Sequence, residues 1–282
     1  MFAITVQNRG RLENNRALIG FFNEQTKEIN FVKEDALPDT LTNTNFFRPF
    51  GCYWREQKLF VVTHDKLIKL DNKGNYLEHE TLHDFVNPHQ IIETKKVRCY
   101  TNTGKDLIRL THNNKTKTID CKKLKETYGS NKEDSHHVNS LCLHDNKIFF
   151  CLHNNSVTTN KPSQYFYIDL DSEKIKYICE YGLSSHNCEI ENNFLYTLST
   201  KTGCLTCINW KSNKIVFELK LANPKHYFLR GLQLTEKHII VGASSSIGTF
   251  AQILFIDRKT NDVTERKDID GYNTVLDIKW TP

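Results

Sequence analysis

Short apolar runs recur along the chain at intervals of about 45 residues, each flanked by polar residues. They are LFVVT ending at Thr63, VRCYT at Thr101, IFFCL at Leu152, FLYTL at Leu198 and IIVGA at Ala243. A polar residue follows each run (His64, Asn102, His153, Ser199, Ser244), and then a second alternating stretch such as KLIKLD, DLIRL, YFYIDL, CLTCI or QILFID. Turn residues come next, at Asp71-Asn72-Lys73-Gly74, Asp171-Ser172 and Asn261-Asp262. β-Branched and aromatic enrichment, period-two alternation and turn chemistry at short spacing predict strands throughout, with no sustained helical period.

A repeat of this length with four strands per unit predicts an all-β fold, a β-propeller. First strands are expected to start near Phe50, Pro88, His137, His186, Arg230 and Thr274, which makes six blades; five or seven remain compatible with the pattern. The sixth blade is shared. NTVLDIKW near the C-terminus is expected to supply its innermost strand, and FAITVQ, RALIGFF and EINFVKE near the N-terminus the other three. Such sharing closes the ring and leaves no open sheet edge there. Residues 1–282 are read as one propeller domain, since no Pro/Gly/Ser linker or shift in composition divides them.

Composition narrows the setting. The nine cysteines are an odd number scattered through predicted strands, which points to reduced thiols and a cytoplasmic protein. Cys204 and Cys207 form a CxxC, but residues three apart in a strand face opposite ways and make a poor zinc clamp. No apolar segment reaches signal-peptide or membrane-spanning length, so no membrane partner is expected. The net charge of +5 is modest, and its lysines are scattered over turns apart from Lys122–Lys125. No basic stripe interleaved with aromatics is present, so nucleic acid is not expected as a partner.

The candidate chemistry lies where first strands begin. In propellers the first strand of each blade lines the central channel, and one face is built from the loops entering first strands together with those joining strands two and three. Here the entering segments are Asn87-Pro88-His89-Gln90, Ser135-His136-His137-Val138-Asn139, Ser185-His186-Asn187 and Leu229-Arg230-Gly231. The joining loops hold His64-Asp65, His153-Asn154 and Ser244-Ser245-Ser246, and all are expected at one mouth. Alternation along a strand makes His137 and Asn139 face the same way, as it does His186 and Cys188, provided no bulge intervenes. His89 is one residue out of phase and reaches the mouth only if its strand begins with a bulge.

Imidazole ligates zinc, iron, copper or nickel and moves protons near neutral pH. His89, His137 and His186 are therefore candidate ligands of a divalent transition metal, with an open position for water or substrate. His137, His186 and Arg230 are the candidate catalytic set, and the Arg230 guanidinium suits a carboxylate or phosphate. Asn139, Asn187, His64 and His153 are candidate ligand-binding residues; for His64 and His153 an ordinary turn role competes. Carboxylates are scarce at the mouth, Asp65 and Asp134 being the near ones, which disfavours a calcium-type site.

The stretches HHVNSLCLHDNKIFF, SSHNCEIENNFLYTLSTKTG and HYFLRGLQLTEKHIIVG resemble the signature blocks of a bacterial family of uncharacterised propeller-like proteins. That family's motifs, HxNxL, PH or SH before a strand ending L-x-S-x-x-G, and FLRGL, fall here on His137, Asn139 and Leu141, on Ser185 and His186 with Leu198–Gly203, and on Phe228–Leu232. The resemblance covers roughly residues 135–245. It implies the fold and the site but no reaction. Three functions follow: a metal-dependent lyase or hydrolase acting on a small anionic substrate, a metal-free binding or sensing protein using the same mouth, or a scaffold docking a protein partner. The enzyme is the leading expectation.

Overall fold

The computed structural model describes residues 1–8, 17–32, 36–38, 41, 48–83, 85–128 and 132–280. Their strands form six four-stranded antiparallel sheets, and the fold is a six-bladed β-propeller. By their contacts the residues divide into two compact units, Met1–Phe85 with Lys225–Pro282, and Val86–Pro224.

The first unit holds three sheets. One runs β4 (Cys52–Arg55), β5 (Lys58–Val62), β6 (Lys66–Asp71), β7 (Tyr76–Thr81), and another β20 (Tyr227–Leu234), β21 (His238–Ser245), β22 (Ala251–Asp257), β23 (Val263–Ile269). The third is the shared blade: β24 (Thr274–Trp280) pairs β1 (Phe2–Gln7), followed by β2 (Ala17–Phe22) and β3 (Ile29–Phe31), in the order β24-β1-β2-β3. Arg16 of RALIGFF and Lys33 and Glu34 of EINFVKE lie outside the described residues.

The second unit holds β8 (Ile91–Glu93), β9 (Val97–Asn102), β10 (Leu107–His112), β11 (Lys115–Asp120) in one sheet. Its other sheets are β12 (Val138–His144), β13 (Lys147–Leu152), β14 (Gln164–Asp169), β15 (Ile175–Glu180), and β16 (Ser185–Glu191), β17 (Phe194–Ser199), β18 (Cys204–Asn209), β19 (Lys214–Lys220). Single-turn helical pieces at Thr103–Lys105, Cys121–Lys123 and Ser156–Thr159 interrupt the loops.

Alternation along the strands puts two apolar faces on each middle sheet layer, and neighbouring sheets of a unit bury them against each other. Phe2, Ile4 and Phe22 pack on Ile253, Phe255 and Ile240 in the first unit. Phe149, Cys151 and Tyr165 pack on Cys188, Leu195 and Ile208 in the second. Each fully buried Phe or Leu contributes roughly 1.5–3 kcal/mol. Outer strands are mostly solvated, as in β23, whose residues alternate half-buried and exposed up to the buried Ile269.

Bulges punctuate the inner strands. Pairing of β12 slips between Val138 and Ser140, of β16 between His186 and Cys188, and of β20 between Leu229 and Leu232. Asn139, Asn187 and Arg230-Gly231 are therefore the extra residues. The same-face relation expected for His137 with Asn139 and for His186 with Cys188 fails here, because an extra residue resets the alternation. The CxxC cysteines, both on β18, are buried, and all nine cysteines are free thiols. Among the described residues no helix is long and apolar enough to cross a membrane.

Candidate functional site

The site begins with one buried carboxylate. Asp106 follows the Thr103–Lys105 turn in a left-handed conformation, φ 57°, which Asp tolerates better than most residues. Its oxygens accept backbone N–H groups from Ser135 (2.8 Å), His136 (3.1 Å) and His137 (2.6 Å), and the Ser135 hydroxyl at 3.2 Å. Three consecutive amides aimed at one carboxylate fix the loop before β12, where Asp134 and His137 also have positive φ.

This latch places two imidazoles differently. His137 directs Nδ1 at Asp134 Oδ1, 2.6 Å away. His136 turns inward, 2% exposed, with Nδ1 3.1 Å from Asn154 Oδ1. The Asn154 amide is oriented by donating to the Pro162 carbonyl at 2.9 Å and to Gln164 Oε1 at 3.2 Å. The backbone N–H groups of His153 and Asn154 donate to the carbonyls of His137 and His136, so the two loops are stitched together.

His186 is the second residue of β16, which Ser185 opens directly after Ser184, another left-handed residue. Its Nδ1 lies 2.9 Å from the Ser184 carbonyl and 2.9 Å from Thr200 Oγ1. A carboxylate and a carbonyl can only accept, so Nδ1 carries the hydrogen on both His137 and His186. In the neutral rings Nε2 is then the basic nitrogen.

Four imidazoles line up as a result. Ring centroids lie 4.9 Å apart for His89 and His137, 5.0 Å for His137 and His153, and 5.0 Å for His153 and His186. His89 and His137 are half-buried, while His153 and His186 are 7% and 5% exposed, so the row runs from an accessible end to a buried one. His89 sits in the loop ahead of β8, its backbone N–H bound to Thr101 Oγ1 at 2.9 Å, and it joins the row from there without a bulge. The nearby Cys151 thiol and Tyr165 phenol are pushed far up by burial and stay neutral.

The remaining sequence candidates stand as follows. Asn139 donates to the Ser185 carbonyl (3.0 Å) and accepts from Ser140 Oγ (2.8 Å), so both ends of its amide tie β12 to β16 and to itself. Asn187 is buried on its bulge with φ 52°. His64 and Arg230 belong to the other unit. His64 is half-buried in the turn joining β5 to β6, and Arg230 sits on the β20 bulge with its guanidinium 5.6 Å from the Phe228 ring centre. From sequence, Asp106 reads as the start of the strand DLIRL and Asn154 as a joining-loop residue without its role behind His136, while nothing singles out Thr200. Asp134 was visible only as a nearby carboxylate.

The metal set His89, His137 and His186 is not a three-donor cluster. His153 stands between the last two, and among the described residues no three or more His, Cys, Asp or Glu are grouped to hold a metal ion.

No family model matches the chain, and no curated protein does. Solved structures do. A chain of a nidogen/laminin complex superposes with a TM-score of 0.71 over 98% of this chain and 97% of that one, at 8% identity. A Bacteroides caccae protein of unknown function gives 0.64 over 98% and 97%, at 10% identity. A putative 6-phosphogluconolactonase from Bacteroides uniformis gives 0.59 over 95% and 83%, at 10% identity. At such identities the likeness shows the propeller fold alone, and the diversity of these proteins attaches no single activity to it.

Proposed function

We propose that the imidazole row binds a small anionic molecule and moves protons on it, in a step of the lyase or hydrolase type. The observation that carries this reading is the row itself, with two of its rings locked so that Nε2 is the proton-accepting atom. His137 takes the base role: Asp134 holds its Nδ1–H, fixes the ring, and stabilises the imidazolium formed when Nε2 accepts a proton. His153 and His89 flank it at about 5 Å, and each neutral ring offers one N–H donor to an anion.

Adjacent rings cannot all carry charge. Two imidazolium ions 5.0 Å apart repel by about 3 kcal/mol at an effective dielectric constant near 20. Charge on one ring therefore disfavours charge on the next.

The Nε2 lone pairs are also the atoms that zinc or iron would take, with Asp134 and the Ser184 carbonyl as outer partners. Because no three-donor cluster accompanies them, no step here is routed through a metal. The buried free thiols support a reducing compartment such as the cytoplasm.

The test is a titration of protein purified without a metal-chelating tag, using malonate and sulfate as probes and calorimetry as readout, with elemental analysis alongside. Stoichiometric anion binding that His137→Gln abolishes is expected. A stoichiometric transition metal lost on His186→Ala would replace the acid–base role by metal ligation. No anion and no metal would leave the scaffold function.

A further inference from the structure

β19 is an edge strand whose middle is apolar and open. Ile215 and Val216 are 46% and 51% exposed, and Phe217 beside them is half-buried. Other outer strands expose single apolar residues beside charge: Leu77, 44% exposed, next to Glu78 on β7, and Tyr177 next to Lys176 on β15, while β11 carries Lys115 and Lys117 and β23 carries Glu265, Arg266 and Lys267. Edge strands are ordinarily guarded in that way, and β19 lacks the guard at its centre.

Pairing of β19 with β18 slips between Cys207↔Phe217 and Ile208↔Ile215, leaving Val216 as the extra residue. The ladder continues on both sides of this bulge, so Lys214–Lys220 stays one extended edge that includes Val216. The flanking charges define what fits. In an antiparallel arrangement about a two-fold axis at Val216, Lys214 of one copy faces Glu218 of the other, twice; Ile215 faces Phe217, and Val216 faces itself, while Glu218 Oε2 also accepts from Tyr181 Oη at 2.9 Å in its own chain. An axis at Phe217 instead sets Lys214 against Lys220, and an axis between Val216 and Phe217 sets Glu218 against Ile215. One register alone matches charge with charge and apolar with apolar.

We propose that the β19 edge is a self-association surface whose partner is a second copy of this chain, docked antiparallel about Val216. A contact confined to one strand edge falls below the area of stable dimers, so association is weak. It is independent of the imidazole row.

Sedimentation velocity from about 5 to 500 μM tests it, with thermal melting as a control for folding. Wild type is expected to shift from monomer to dimer across that range. Val216→Lys, at an exposed position, should stay monomeric with an unchanged melting temperature. Lys214→Glu should weaken dimerisation about ten-fold by opposing Glu to Glu, and Lys214→Glu with Glu218→Lys should restore it. Monomer at every concentration overturns the proposal. So does a dimer that survives Val216→Lys, or one that the charge exchange fails to restore.

Discussion

Replacing Asp106 should do more damage than replacing any histidine. Asp106→Ala removes the acceptor of three backbone N–H groups, at 2.8, 3.1 and 2.6 Å, in a fully buried position. A hydrogen bond to a charged group contributes about 1.5–3 kcal/mol, and the three share one loop, so they do not add in full. Alanine also sits poorly at φ 57°, at a further cost of about 1 kcal/mol. The expected loss is about 4 kcal/mol, read from urea unfolding followed by fluorescence. Asp106→Asn keeps one acceptor oxygen and tolerates the left-handed backbone, so it should lose about half as much. Below the unfolding transition, Asp106→Ala should bind malonate at least ten-fold more weakly, because His137 is no longer held in line with its neighbours. A loss under 1 kcal/mol, or unchanged binding in the folded variant, would refute the view that this carboxylate organises the site.

Other outcomes follow from single contacts. Asp134→Asn should weaken anion binding about ten-fold near neutral pH while leaving the melting temperature within a few degrees, since Asp134 is itself half exposed; equal affinity would remove it from the site. Gly242→Ala should destabilise by about 2–4 kcal/mol, because a Cβ there would collide with the Arg230 carbonyl and lie 2.6 Å from Val275 Cγ1; thermal denaturation reports it, and a silent variant would mean that β21 sits farther from its neighbours. Burial pushes the Cys207 thiol up to about 11. Its folded value lies above that of the unfolded chain, so its contribution is intact below about pH 8.5 and is lost as pH rises towards 11. The urea midpoint should be flat from pH 7 to 8 and fall above 9, and native Cys207 should resist iodoacetamide at pH 8; rapid alkylation in the folded state would contradict its burial.

The blades were legible because their strands repeat a simple alternation. Expected starts at Phe50, His137, His186 and Thr274 meet observed inner strands beginning at Cys52, Val138, Ser185 and Thr274. The union of NTVLDIKW with FAITVQ was legible too, since both runs lacked a complete blade of their own. Within the site, the histidines at strand entrances could be read, and three blades bring four of them together. Their orientation could not. A bulge adds one residue without altering composition, so Asn139 and Asn187 left the phase that alternation assigned them. His89 reached the row by ring contact from a loop, where strand phase has no meaning. Asp106 was hidden because it opens DLIRL and reads as the first residue of a strand, and only tertiary structure shows that its partners lie 29 to 31 residues further on.

The pairing of Phe2 with Trp280 has a consequence for biosynthesis. β1 leaves the ribosome long before β24 and acquires that neighbour only when β24 has been made. Until then β1 exposes a bare hydrogen-bonding rim, and closing the gap requires the largest loop in the molecule to be ordered. That step should come last in folding, and the waiting rim is where a chaperone would have most to protect.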